Sequence, residues 1–203
     1  MKIFNKISIV TVLIVSLVFG FIGPSVALAA TVPVLGTAAS FSVLSGLSMS
    51  AAGAGTTISA DLGLSPGLAV SRTGPWTVGG QEYFGPSSLA FTAKADALIA
   101  YNDLITQGSS GTWSLNATPA PGVWTAADSP VFNNTLTLNG DSTSVWVFQL
   151  TTDFTFTGNV VLGAGVNPCN VFWAVGRDAT IHSGGAGTQF VGTLIAGSSV
   201  TLP

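Results

Sequence analysis

The 203-residue chain is 47% hydrophobic but only 6% charged, against about 25% charged for an ordinary soluble domain, so a folded surface must be built mainly from Ser, Thr, Gly and Asn. Five Lys and Arg against eight Asp and Glu exclude an electrostatic nucleic-acid binder, which needs clustered cations to neutralise phosphates. The 25 Gly and 12 Phe exclude a disordered chain, because such chains are poor in aromatics and rich in net charge.

Lys2 and Lys6 precede an apolar run from Ile7 to Ile22, and Ala27-Leu28-Ala29 supplies a small-x-small cleavage site. This is the pattern of a secretory signal peptide over residues 1–29. The run is shorter than the roughly 20 residues that span a bilayer, so no stable membrane insertion is expected after cleavage. The remaining domain, 30–203, is expected to be secreted and extracellular, with Arg72, Lys94 and Arg177 as its basic residues against all eight acids. Cys169 is the single cysteine, which rules out an internal disulfide and a cysteine-based zinc site; a lone cysteine reads as a small buried hydrophobe.

From Ser40 to Leu68, apolar alternations such as Phe41-Ser42-Val43-Leu44 and Thr57-Ile58-Ser59-Ala60-Asp61-Leu62 are separated by glycines, the pattern of short strands joined by tight turns. Ser87 to Gln107 is Ala-rich and free of Gly and Pro, with Phe91, Ala95, Leu98, Tyr101 and Ile105 at spacings of three and four. One amphipathic helix is predicted there, with Ser87 or Ser88 as its N-cap and Gly108 as the glycine that ends it. Residues 109–130 hold Pro119, Pro121 and Pro130 and read as an irregular connection with one short strand at Val123-Trp124. Everything from Val131 onward reads as strand and turn.

This last part carries an internal repeat. Moving Val145–Gly165 forward by 25 residues places Trp146 on Val171, Phe148 on Trp173, Leu150 on Val175, Phe154 on Ala179, Thr155 on Thr180 and Phe156 on Ile181. A third pass starts at Phe190-Val191-Gly192-Thr193-Leu194-Ile195 and reaches Val200-Thr201-Leu202. A period of 20 to 25 with strands and glycine corners is the signature of a solenoid, in which each turn buries its inner side chains on the next. The fold class predicted is mostly β, a β-helix.

Strand alternation decides which residues face outward. With Phe154, Phe156, Ala179, Ile181, Val200 and Leu202 inward, Thr155, Thr180 and Thr201 point outward from equivalent places and form a ladder with rungs about 4.8 Å apart. Thr157 and His182 extend it sideways, and outward hydroxyls recur at Thr57 and Ser59 and at Thr135 and Thr137. High β propensity alone also enriches exposed strands in threonine, so the ladder by itself does not prove a site.

Several segments together carry a family resemblance. Leu35-Gly36-Thr37-Ala38-Ala39-Ser40-Phe41-Ser42-Val43-Leu44, Thr57 to Gly67, the helix with Lys94-Ala95-Asp96 and Ala100-Tyr101-Asn102-Asp103, and Pro121-Gly122-Val123-Trp124 come first. Val145-Trp146-Val147-Phe148-Gln149-Leu150, Cys169-Asn170-Val171-Phe172-Trp173-Ala174-Val175-Gly176 and Phe190-Val191-Gly192-Thr193-Leu194-Ile195-Ala196 follow in the same order. From Val34 to Leu202 the chain resembles the secreted ice-binding (antifreeze) proteins and their adhesin-like relatives. The resemblance implies a right-handed β-helix (solenoid) of triangular cross-section with one long α-helix packed alongside. It also implies adsorption to the ice crystal surface and its ordered water through one flat face of hydroxyl and methyl groups. Applied to this sequence, that face comprises Thr155, Thr157, Thr180 and Thr201, with Thr57, Ser59, Thr135 and Thr137 behind them. The family pattern continues with a further glycine-containing strand and a last Thr-bearing strand, so the domain is expected to lack its last C-terminal coil. It is expected to be a monomer, with association possible through that uncapped end.

No cofactor and no metal are expected. Asp153 and Asp178 share the 25-residue register beside Arg177, which makes them the best pair for glycosidase-like acid–base chemistry or for calcium. Turn capping by their side chains is the simpler reading, and the protein is expected not to be an enzyme. The alternative is a cell-surface or matrix adhesin-like module of the same fold, binding carbohydrate or protein through exposed aromatics among Trp76, Tyr83, Trp113 and Trp124.

Overall fold

The computed structural model describes residues 29–52, 56–74, 76–126, 128–182 and 189–201. The signal-peptide reading of 1–29 and the inward placing of Leu202 therefore lie, but for Ala29, outside the described residues.

The described chain is mostly β with one long α-helix. Its first half runs through β1 (Phe41–Ser45), β2 (Ser48–Ala52), β3 (Thr56–Ile58), β4 (Asp61–Leu64), β5 (Ala69–Thr73), β6 (Trp76–Val78) and β7 (Glu82–Phe84). Pairing skips two strands each time: β4 lies parallel to β1, β5 to β2, β6 to β3, and β7 to β4. The helix α1 (Leu89–Thr106) follows.

The second half contains β8 (Gly111–Thr112), β9 (Gly122–Ala126), β10 (Val131–Phe132), β11 (Thr135–Leu138), β12 (Trp146–Leu150), β13 (Phe154–Phe156) and β14 (Asn159–Leu162). It ends with β15 (Val171–Val175), β16 (Ala179–Ile181), β17 (Thr193–Ala196) and β18 (Val200–Thr201). They sort into three parallel sheets, ordered β17-β15-β12-β9-β8, β10-β13-β16-β18 and β11-β14. Trp146 pairs with Val171, Phe148 with Trp173, Thr155 with Thr180 and Thr180 with Thr201, the register that the internal repeat predicts. Proline does not keep 109–130 irregular: β8 and all five residues of β9 add to the first sheet.

In-register parallel strands place like on like. Inside the second half, Phe148 stacks on Trp173 with ring centroids 4.2 Å apart, Phe154 stacks on Trp173 at 5.5 Å and Phe132 on Phe156 at 5.4 Å. Such pairs add about 0.5–1.5 kcal/mol each beyond the area they bury. Both faces of β12 and β15 are buried, as expected when a parallel sheet is covered on each side. One face meets the aromatic core. The other, with Val147, Phe172 and Ala174, packs under Leu104 of α1. At the corner between β13 and β14, Gly158 is required by close approach: a Cβ there would overlap the Asn134 carbonyl oxygen and the Phe132 ring.

Three expectations are corrected. The buried side of α1 is Ala90, Ala93, Ala100 and Leu104, whereas Phe91 and Leu98 are 56% and 60% exposed and Ile105 is exposed as well. The sheet accepts the side that lets the helix backbone come close, and small alanines do that better than a bulky stripe. The end of α1 is also made differently. Gln107, the C-cap, is extended, and the Gln149 side-chain amide donates to the carbonyls of Leu104 and Gln107 at 2.8 and 2.9 Å. A side chain from β12 thus satisfies helix-end carbonyls that Gly108 was expected to serve. Ser88 is the N-cap residue, but its hydroxyl donates to Gly85 O and not to the helix. Cys169, finally, is exposed, because it lies in the 3-10 turn Pro168–Asn170 that leads into β15.

Trp173→Ala removes the ring shared by Phe148, Phe154, Trp113 and Phe190. It is expected to cost about 3–5 kcal/mol, measured by urea unfolding followed by circular dichroism, whereas Phe91→Ala on the exposed side of α1 is expected to cost less than about 1 kcal/mol.

Candidate functional site

The sheet β10-β13-β16-β18 shows how local sequence builds a surface. Phe132, Phe154, Phe156, Ala179 and Ile181 are buried, so alternation turns their neighbours outward. Those neighbours are Val131, Thr155 and Thr180, each paired directly with the next across the strands, and Thr201 joins the row by pairing with Thr180; Val200 beside it, expected inward, is 46% exposed, because it lies on the last described strand of the sheet with no further strand described beyond it. The rows of the sheet are about 4.8 Å apart. Thr155 and Thr180 are half-buried by the flanking rows, and Thr201 on the edge strand is exposed. Among the described residues, none of these three threonine hydroxyls hydrogen-bonds another protein group. They are left to solvent.

Thr157 differs. It follows β13, and its hydroxyl donates to the Phe132 carbonyl at 3.3 Å, which ties it into the corner. His182, the matching residue of the next repeat, is exposed and uses its backbone N–H on Phe156 O.

The other four predicted residues lie on different sheets. Thr57 is exposed on β3 and pairs with Thr77 of β6. Ser59 follows β3, and its hydroxyl lies 3.2 Å from that of Ser42. Thr135 and Thr137 are on β11, where their partners on β14 are Asn159 and Val161. The threonine pattern therefore breaks after one rung there, and Asn159 Oδ1 accepts the Gln189 backbone N–H. So the eight residues do not form one surface: Thr155, Thr180 and Thr201 make a continuous row with Thr157 at its margin, while the rest belong to the third strand position of each repeat.

Sequence reasoning missed Val131, Thr77, and the exposed serines Ser50 and Ser71, which pair between β2 and β5. For Thr77, Ser50 and Ser71 the signal was a second repeat of 19 to 21 residues in the first half, with Ser45 on Leu64, Ile58 on Val78 and Ser50 on Ser71; Val131 lies 24 residues before its partner Thr155. That second repeat is weaker than the later one because its strands carry fewer aromatics and its first pair shifts register between Phe41 and Val43.

The acids flank this surface and serve turns. Asp153 Oδ1 accepts the Asp178 N–H at 3.3 Å and faces Arg177 Nε at 3.5 Å. Asp178 Oδ1 accepts from the Ser199 hydroxyl at 2.7 Å and from its N–H at 3.1 Å. One carboxylate per repeat thus holds the turn of the repeat that follows. The Ser199 hydroxyl is the leading reason that the Asp178 carboxyl is held below the ordinary Asp value, with Arg177 a smaller one. Asp141, within the turn before β12, is lowered likewise, first by the Thr143 hydroxyl and its N–H and then by Ser144.

The model of the ice-binding-like family matches residues 43–203. The chain belongs to that family. An ice-binding protein of Nostoc sp. (strain HG1) is 34% identical over 182 residues, which is 86% of this chain and 65% of that protein; the chain therefore spans just under two thirds of that relative. Among solved structures, an ice-binding protein from an Antarctic biological consortium is 30% identical with a TM-score of 0.70, covering 87% of this chain and 92% of the other. One from the Antarctic ascomycete Antarctomyces psychrotrophicus is 29% identical with a TM-score of 0.69, covering 85% and 95%. Of the four aromatics considered for a sugar platform in this ice-binding-like chain, Trp76 and Tyr83 are half-buried, Trp76 with the Arg72 guanidinium 5.0 Å from its ring and Tyr83 5.7 Å from the Phe41 ring. Trp113 is only 4% exposed, and Trp124 donates its indole N–H to Ala120 O at 2.9 Å.

A carboxyl whose pKa is lowered on folding contributes stability above its unfolded pKa and loses it as pH falls through the folded value. Thermal stability is thus expected to drop as pH falls below about 4, where free Asp protonates. Asp178→Asn, which keeps an acceptor for the Ser199 N–H and removes the charge, is expected to shrink that drop, as read from melting curves at a series of pH values.

Proposed function

We propose that the protein is a secreted, non-enzymatic ice-binding protein that adsorbs to ice through the outward row of the β10-β13-β16-β18 sheet and slows crystal growth or recrystallisation. The observation that carries this reading is the in-register row Thr155–Thr180–Thr201, whose hydroxyls bond no other protein group among the described residues. The family and the names of its ice-binding relatives point to the same ligand.

The row suits ordered water for physical reasons. It is uncharged, it repeats at the sheet spacing, and it stands on a core of stacked aromatics, so little conformational entropy is spent on binding. Each contact is weak, and area supplies the affinity. On this reading the strands wind as a right-handed β-helix of triangular cross-section, each repeat offering one strand to each of three sides in turn. The helix α1 lies along the side made by β12 and β15. Thr57, Ser59, Thr135 and Thr137 then lie on a side of their own and contribute less than the main row. Residues 1–29 act as the export leader, and 30–203 acts as the ice-binding domain.

The adhesin-like alternative draws no support from Trp113 and Trp124, whose burial and internal hydrogen bond take them out of a sugar-binding surface. Thr180→Tyr places a large ring at the centre of the row, on an outward position that the core does not feel. It is expected to abolish inhibition of ice recrystallisation while leaving the circular dichroism spectrum and melting temperature unchanged. Thr135→Tyr, on the other side, is expected to retain most of the activity. Full activity in the Thr180→Tyr protein would overturn the proposed face.

A further inference from the structure

We infer that the outer side of α1 is a dimer interface, at which the helix packs against its own copy in a second molecule. The inner side of this helix is its alanines and Leu104, yet the opposite side is apolar as well, with Phe91, Leu98, Ile99 and Ile105 all exposed. A surface helix normally turns charged and polar residues to water. The N-terminal segment widens the patch. Thr31 exchanges hydrogen bonds with the Gln107 side chain at 2.9 Å each way, and the Thr37 N–H donates to Asp96 Oδ2 at 2.7 Å, so residues 31–37 run alongside α1 between those two ties. Val32 and Val34, 51% and 80% exposed, sit on that stretch. They lie on the flank of Ile99, which follows Asp96 by three residues and so shares its side of the helix.

Spacing, area and charge favour a second copy as the occupant. Phe91, Leu98 and Ile105 recur every seven residues, close to two helical turns, so they line up along one side. Such a row is complementary to itself: laid antiparallel about a two-fold axis at Leu98, two helices bring Leu98 to Leu98 and Phe91 to Ile105 of the second copy. Ala95 and Asn102 between them are small and neutral, so the contact buries no charge. The exposed side chains of α1 and of Val32 and Val34, at about 100 Å² each, offer about 600 Å² per molecule, and a specific interface needs about 500 Å² or more from each partner. An anionic lipid surface, in contrast, is held by clustered cations, and the chain has a net charge of −3 with Lys94 as the one cation on α1. The contact is independent of the threonine row, because α1 covers the face of β12 and β15 that carries Val147, Phe172 and Ala174.

Sedimentation equilibrium of the purified mature protein is expected to show a monomer–dimer equilibrium with a micromolar Kd, in place of the monomer expected from the sequence. Leu98→Glu sets two carboxylates face to face at the axis. It is expected to weaken dimerisation at least about 100-fold, since each dimer loses a central contact twice, with the circular dichroism spectrum unchanged because Leu98 is exposed in the single chain. A second variant reads the geometry directly. In a Cys169→Ser background, Leu98→Cys is expected to cross-link two molecules on mild oxidation, as side chains that meet at a two-fold axis allow, whereas Asp103→Cys on the flank is expected to stay uncross-linked. A parent protein that remains monomeric at its highest attainable concentration would overturn the interface, as would a Leu98→Glu protein that dimerises as tightly as the parent. A monomer that co-sediments with phosphatidylcholine vesicles would overturn it too, in favour of a lipid surface. None of these measurements involves ice, so their failure is distinct from a failure of the ice-binding reading.

Discussion

Parallel pairing at a fixed offset forces every side chain to stack on its counterpart one repeat away. In the second half the offset is 25 residues for β12 on β15 and β13 on β16, and no register slip interrupts those pairs. The inner and outer surfaces both follow from that constraint. Inside, aromatic rings land on aromatic rings, and Trp173 sits at the centre of a stack that a slipped register would break. Outside, threonine lands on threonine. A shift of one residue would turn Thr155 and Thr180 into the core and expose Phe154 and Phe156, so the burial of the phenylalanines is what holds the threonines in line.

The near absence of charge is consistent with this architecture. Among the described residues the ion pairs are Arg72 with Glu82 and Arg177 with Asp153, both partly exposed, and such pairs contribute little. The acids work mainly as hydrogen-bond acceptors at turns, where Asp141, Asp153 and Asp178 close loops that face solvent. The sheet that carries the row is left without formal charge, and a neutral face has no strongly hydrated ion to strip before it meets ordered water.

The helix is the point at which local reasoning and tertiary packing part. The spacing of Phe91, Leu98 and Ile105 makes a sound apolar stripe in isolation, yet the sheet packs against alanines and Leu104. Amphipathic spacing records which residues of a helix are apolar; it does not record how close the neighbouring sheet must come. The buried Gln149 is tied to the same geometry. It is polar in a strand otherwise wholly apolar, and only the end of α1 above it supplies carbonyls for both of its N–H groups.

The sequence by itself determined the repeat, the helix, the inward phenylalanines and the threonine row of the second half, because each depends on periodicities of strand, helix and repeat that local residue order carries. It also carried the family, through motifs in a preserved order from Leu35 to Ala196. Only the tertiary structure decided that Thr135 and Thr137 lie on a different sheet from Thr155 and Thr180, that Val131 belongs to the row, that Thr157 is tied to the Phe132 carbonyl and that Cys169 is exposed. Those outcomes depend on which strands become neighbours and where the chain turns a corner. Corners are set by close approaches such as that of Gly158 to Asn134, between residues far apart in the chain.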